Sequence, residues 1–121
     1  PACAKQLKHG ACVDRRCLSP TPCPSLRVTH DDYLALLRKL RALPGVKKVF
    51  IRSGLRFDYM LLDDDPSFMR ELVKHHVSGQ LRVAPEHASD AVLDVMGKPP
   101  IGVFKRFDAE FKRLNKKYGL K

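Results

Sequence analysis

Apolar residues recur at helical spacing in three stretches of this chain and bunch into two short runs between them. Tyr33, Leu36, Leu37, Leu40 and Leu43 predict an amphipathic helix, opened by Thr29 or His30 and stopped by Pro44-Gly45. Asp31 and Asp32 fall in its first turn, where the helix dipole favours carboxylates. Val46 to Arg52 reads as a strand, with Val49 and Ile51 on one face and Phe50 with Lys48 on the other. Residues 59–65 are ambiguous, with at most one helical turn ending in Asp63-Asp64-Asp65. Asp65 suits a helix cap and Pro66 the first helical position, and Met69, Leu72, Val73 and His76 form the stripe that this helix buries. His75 and His76 are metal-ligand types, although basic residues at a helix C-terminus commonly serve only to close it.

After the stop at Ser78-Gly79, Gln80 to Ala84 reads as a second strand, and it runs into the polar turn Pro85-Glu86-His87. Ser89 and Asp90 open a short helix with Val92, Leu93 and Met96 on its inner face. Gly97 suits a left-handed termination there, and Pro99-Pro100 blocks any continuation. The last helix carries Phe104, Phe107, Phe111, Leu114 and Tyr118 on one face and Lys105, Arg106, Lys112, Lys116 and Lys117 on the other. Such an aromatic stripe is core-forming rather than a stacking platform.

Helices that separate strands imply an α/β fold with parallel strands and right-handed crossovers. Two parallel strands are too few for a sheet covered on both faces, so the chain is expected to be part of a larger barrel or wound sheet. In such folds, ligands lie beyond the C-terminal ends of the strands. That places the Val77–Pro100 stretch at the centre of interest, with Glu86 and His87 following one strand. Ser53, Gly54, Arg56 and Asp58 follow the other, supplying a hydroxyl, a sharp turn or close backbone approach, a cation and a carboxylate. The plain alternative is that Glu86 and His87 merely cap the next helix.

Residues 1–28 differ from the rest. They lack apolar periodicity, crowd Pro20, Pro22 and Pro24 together, and hold all 4 cysteines, Cys3, Cys12, Cys17 and Cys23. This stretch is expected to be an irregular loop, either disordered or metal-binding, with residues 29–121 forming the α/β portion. The chain shows no secretory signal and no run of about 18 apolar residues that would span a membrane, so a cytoplasmic setting with reduced thiols is expected. A four-thiolate metal site is then favoured over disulfides, although the gaps of 8, 4 and 5 residues are not the tight pairs of a zinc ribbon. The 121 residues carry a formal charge of +10, which suits a polyanionic partner such as nucleic acid, an anionic cofactor or simply a solvated basic surface.

The blocks VKKVFIRSGLRFD, HHVSGQLRVAPEH and VLDVMGKP, with the Cys17-Leu18-Ser19-Pro20-Thr21-Pro22-Cys23 run, resemble the YgiQ-type radical SAM proteins over nearly the whole chain. The resemblance implies the middle-to-C-terminal part of a partial (β/α)6 TIM-like barrel. In the intact enzyme a [4Fe–4S] cluster in a CxxxCxxC loop binds S-adenosylmethionine, whose reductive cleavage gives a radical that abstracts hydrogen from a substrate. No CxxxCxxC occurs here, so the cluster-binding part would lie upstream. The segment is expected to be inactive alone, to bind none of these cofactors by itself, and to have the rest of its own barrel as its partner. By position, the resemblance puts Ser53, Gly54, Arg56, Asp58, Glu86 and His87 at the S-adenosylmethionine or substrate end. It also makes Cys3, Cys12, Cys17 and Cys23 candidate ligands of zinc or an auxiliary iron–sulfur cluster in the full protein. The competing reading is a small, basic, metal-stapled nucleic-acid-binding module, with the lysines of the last helix and the cysteine loop on one surface. A third is an α/β piece with no activity of its own.

Overall fold

A computed structural model of the chain describes residues 2–120. Among the described residues six α-helices follow one another: α1 (Ala4–His9), α2 (Asp31–Arg41), α3 (Phe57–Leu62), α4 (Ser67–Glu71), α5 (Asp90–Val95) and α6 (Ile101–Lys117). The helix begun by α4 widens into a π-helical turn, Leu72–His76, before the chain becomes extended.

The core lies where α2, α3, α4, the π-turn and α6 meet. Leu34, Leu37, Phe57, Met60, Phe68, Met69, Leu72, Val73, Phe107 and Leu114 form one apolar cluster. The aromatic stripe of α6 faces this cluster as the periodicity predicts. Phe107 and Leu114 are buried, and Phe104, Phe111 and Tyr118 pack around them. Phe57 of α3 meets Phe104 edge-on at 5.6 Å and Phe107 at 5.9 Å, geometries that suit the ring quadrupoles. The expected stripe Met69, Leu72, Val73 and His76 is buried. Two helices depart from expectation in the face they bury. In α5 only Leu93 is buried, while Val92 and Met96 face outward. In α2 the buried leucines are Leu34 and Leu37, and Leu36, Leu40 and Leu43 are exposed.

The expected strands Val46–Arg52 and Gln80–Ala84 are extended but form no regular ladder among the described residues. The one parallel bridge falls between Val83 of the second and Leu55, which lies beyond the first in the stretch expected to be a turn. The Ile51 N–H donates to the His76 carbonyl at 2.9 Å, and the Leu55 N–H donates to the Arg82 carbonyl at 3.1 Å. Between those bonds one segment advances 4 residues (51 to 55) and the other 6 (76 to 82). The surplus is taken up at Ser78-Gly79, where Gly79 has φ +109°, and this bulge breaks the ladder. The 2 segments nevertheless run the same way at their bridge.

Residues 2–28 are not wholly irregular. Ala2 and Arg27 exchange backbone hydrogen bonds of 2.7 and 2.8 Å, closing the stretch into a loop that contains α1. That helix has no buried residue, and Leu7 is exposed, so no apolar stripe could announce it. Further on, Leu18 and Ser19 are buried, and Pro20 and Pro22 share a cleft of about 170 Å³ with Asp58, Leu61, Pro99 and Val103. Arg16 donates to the Asp94 carbonyl at the end of α5 at 2.7 Å.

Candidate functional site

The bridge at Leu55 and Val83 orders the candidate residues. Beyond it, one segment continues into Arg56 and Asp58 and the other into Glu86 and His87, so both polar turns leave the same end of the paired segments. Ser53 and Gly54 precede the bridge and are exposed. Gly54 makes neither a left-handed turn nor a close approach, because a Cβ added there would meet open space. The turn residue that does need special backbone is Glu86, at φ +71°. A side chain in this left-handed region costs about 1–3 kcal/mol, and such positions cluster where function demands them.

Arg56 and Asp58 form a two-pronged ion pair, with Nε to Oδ1 at 2.9 Å and the terminal nitrogen to Oδ2 at 2.6 Å. Asp58 also accepts the Tyr59 N–H at 3.0 Å, and only 4% of its side chain is exposed. Its carboxylate is therefore committed inward, at the start of α3, where the helix dipole favours it. Arg56 lies outside, with 54% of its side chain exposed, and rests on the Tyr59 ring at 4.9 Å. The Asp58 hydrogen bond raises the guanidinium pKa above its ordinary value. Asp58 thus positions Arg56, and Arg56 presents the charge.

Across the rim, Glu86 pairs with Lys98 at 3.1 Å, and the His87 ring nitrogen Nδ1 accepts the Ser89 N–H at 2.9 Å. His87 thus holds the backbone of the cap residue Ser89, and the cap bond expected of the Ser89 hydroxyl is not made. Asp90 reaches the other way, accepting the Ile101 N–H at 2.8 Å and joining α5 to the start of α6. Gly97 takes the expected left-handed conformation (φ +67°), and the Lys98 N–H returns to the Leu93 carbonyl at 2.8 Å. No hydrogen bond or ion pair among the described residues joins Arg56 or Asp58 to Glu86 or His87.

The 4 cysteines are free thiols and line one cavity of about 160 Å³, with Arg15 and Arg16 on its wall. The Cys23 N–H donates to the Cys17 carbonyl at 2.8 Å, which folds the Cys17–Cys23 run back on itself. Among the described residues, however, no 3 His, Cys, Asp or Glu groups are placed to hold a metal ion. The donors are gathered without forming a ligand sphere, so neither zinc nor an iron–sulfur cluster fits the thiols as they stand. No three-residue donor set includes His75 or His76 either. His76 is fully buried and holds the Val49 carbonyl through Nδ1 at 2.7 Å.

Sequence reasoning missed one polar pair. His30 sits at the start of α2, stacked on Phe68 at 4.4 Å, and both its N–H and its Nδ1 meet Asp63 Oδ2, at 2.9 and 2.6 Å. The cap at Thr29 or His30 was visible in the sequence, and Thr29 indeed accepts the Asp31 N–H at 3.2 Å. A partner 33 residues away was not.

These features define a helix-rich polypeptide with one parallel contact and a polar rim beyond it. Its homologues are UPF0313 proteins. It is 55% identical over all 121 residues to a UPF0313 protein of Clostridium perfringens (strain ATCC 13124), of which it covers 18%. It is 53% identical over 116 residues, 96% of the chain, to a UPF0313 protein of Clostridium botulinum (strain Okra), again covering 18% of that protein. The chain therefore spans about a fifth of the length of the curated relatives it matches. No family model matches the chain, and no solved structure matches it. Among the described residues, no helix is long and apolar enough to cross a membrane.

Proposed function

We propose that this chain is a segment of a larger S-adenosylmethionine-dependent radical enzyme, in which its polar rim faces the cofactor or substrate. The observation that supports this reading best is the parallel bridge at Leu55 and Val83, with Arg56 and Glu86 following its two strands' ends. A partial (β/α)6 barrel needs that direction and that edge. The resemblance of the SGLRFD and RVAPEH blocks to radical SAM proteins supplies the reaction class.

In the intact enzyme, the cluster and S-adenosylmethionine would supply radical hydrogen abstraction. The cluster does not fit this chain's own residues, which lack CxxxCxxC and any three-donor group among those described. The work assigned to this chain is binding. Arg56, held by Asp58 with an exposed outer edge, suits a carboxylate, to which a guanidinium donates in parallel. Glu86 suits an ammonium or a pair of hydroxyls, a role in which it would exchange Lys98 for ligand. His87 orients the turn through Ser89.

The test uses the longest natural protein that contains this segment, reconstituted anaerobically. Iron–sulfur absorption that changes on addition of S-adenosylmethionine is expected, as is at least tenfold weaker binding by Arg56→Ala and Glu86→Ala in equilibrium dialysis. Absence of iron–sulfur absorption, or unchanged binding in both variants, overturns the reading.

A further inference from the structure

We propose that the cleft between the Val46–Phe50 stretch and the π-helical turn binds the phosphate backbone of single-stranded nucleic acid. This cleft, about 630 Å³, is lined by Arg41, Lys47, Lys48, Lys74 and His75, with Phe50 on its wall and no Asp or Glu. It is not the surface that the sequence suggested, which was the last helix together with the cysteine loop.

Local structure accounts for some of these cations. Arg41 ends α2, and Lys74 and His75 sit in the last turn of their helix, where the dipole favours positive charge. It does not account for Lys47 and Lys48, which lie exposed on extended chain. None of Lys47, Lys48 and Lys74 forms an ion pair among the described residues. On α6, by contrast, Lys112 is paired with Asp108 at 2.6 Å and Arg113 with Glu110 at 2.6 Å. The chain's positive charge is partly neutralised along α6 and left uncompensated in the cleft. Of the cleft cations, Arg41 forms an ion pair, with Glu71 at 3.4 Å, and that acid is chiefly engaged by Arg38.

The shape and the ring favour an unpaired strand over other polyanions. Phe50 is 42% exposed, and Lys48 lies over its ring at 5.8 Å, so an aromatic face stands beside cations in a concave site. Base stacking on such a ring with phosphates on adjacent lysines is how sequence-tolerant single-strand binders work. The π-turn contributes directly, because its wider winding carries Lys74 and His75 to the cleft while Leu72, Val73 and His76 stay buried. Single π-helical turns are found frequently at functional sites.

The probe is a fluorescein-labelled twelve-residue oligouridylate, followed by anisotropy across a salt series with the 121-residue chain. The triple variant Lys47→Ala/Lys48→Ala/Lys74→Ala is compared with the triple variant Lys105→Ala/Lys112→Ala/Lys116→Ala. The cleft triple is expected to bind at least tenfold more weakly and to flatten the log K against log salt slope by roughly 2, from about 0.7 per lost phosphate contact. The α6 triple should lose no more than a few fold. Phe50→Ala should lose roughly 5- to 100-fold, the range for one stacked base. Circular dichroism confirms folding of each variant, and all 6 lysines and Phe50 lie on the surface or are only partly buried. Equal losses in the two triples overturn the assignment. So does heparin competing as well as unlabelled oligouridylate while Phe50→Ala binds normally, and so does binding to phosphatidylserine vesicles without binding to the oligonucleotide.

Discussion

Glu86 is the position at which stability and function are expected to pull apart. Its φ of +71° puts an L side chain in the left-handed region, at about 1–2 kcal/mol of steric cost. Its carboxylate recovers little of that, since the Lys98 pair at 3.1 Å has side chains 37% and 31% exposed. Pairs of this kind are worth about 0–1 kcal/mol. Glu86→Ala keeps the strained backbone and loses the pair, so it should destabilise by a few tenths to about 1 kcal/mol. Glu86→Gly also loses the pair but removes the steric cost, at the expense of roughly 0.5–1 kcal/mol of extra freedom in the unfolded chain. The glycine variant should therefore lie within about 1 kcal/mol of the parent and be about 1 kcal/mol more stable than the alanine variant. At this chain length that is about 4 °C in Tm. Urea denaturation followed by circular dichroism, in low salt and again in 1 M salt, separates the contributions. Salt should erase the ion-pair part and leave the glycine–alanine gap intact. Alanine and glycine variants of equal stability would show that no strain resides at this turn, and the argument for a specially held Glu86 would fail with it.

Four further outcomes follow from the same contacts. Leu114→Ala, which empties a fully buried site under the α6 stripe, should cost about 2–5 kcal/mol by urea denaturation. The Arg38 hydrogen bond holds the Glu71 carboxyl below its ordinary pKa, so its contribution is complete above the unfolded carboxylate value and is lost as pH falls through the folded one. The stability gap between the parent and Arg38→Met should accordingly be present at about pH 6, shrink toward about pH 3, and be reduced by salt. Burial, then repulsion from Arg41, Lys74 and His76, lowers the His75 pKa against a weaker pull from Glu71. A bound phosphate chain would reverse that, so oligonucleotide affinity should rise as pH drops from about 7.5 to about 6, and His75→Ala should flatten the profile. Thiol titration should find Cys12 fast and Cys3 slow, as one is exposed and the other buried, with metal analysis below one equivalent. Stoichiometric zinc would contradict the placement of the four thiols.

The elements that could be read from sequence are those whose burial pattern has one solution. α6 spans 17 residues with a single aromatic stripe, and its inner face is as expected. α2 was legible in extent but not in rotation, because its leucines offer 2 apolar faces and tertiary packing selected Leu34 and Leu37 over Leu36 and Leu40. The strands looked regular because alternation predicts which way side chains point, not whether partner residues match in number. The mismatch at Ser78-Gly79 decides that, and it is a property of the pair. At the candidate site, Arg56 and Glu86 are singled out by their place after apolar runs. The commitment of Asp58 to Arg56, the His87 cap and the His30–Asp63 pair all depend on which groups are inside. The glycine expected to carry special backbone, Gly54, was the wrong residue for a physical reason. Composition flags where left-handed geometry is free, whereas the fold also adopts it where it is not, at Glu86.

The cysteine segment and the polar rim both contact one short helix, although they are far apart in sequence. Arg16, 1 residue before Cys17, grips the last turn of α5 through the Asp94 carbonyl. Its guanidinium lies so close over Gly97 that a Cβ there would stand 3.3 Å from it. The very next residue, Lys98, holds Glu86 at the other end of the same short helix. A change that reorders the four thiols is therefore expected to reach Arg16, and through the Gly97–Lys98 turn the carboxylate at the rim. Gly97→Ala tests the linkage, since φ +67° and the Arg16 contact both oppose a methyl group there. It should loosen the half-buried Cys17 toward thiol reagents and also increase amide exchange at Glu86 and His87. If the thiols respond while the rim stays protected, the two parts are independent, and the cysteine segment has no say in what the rim binds.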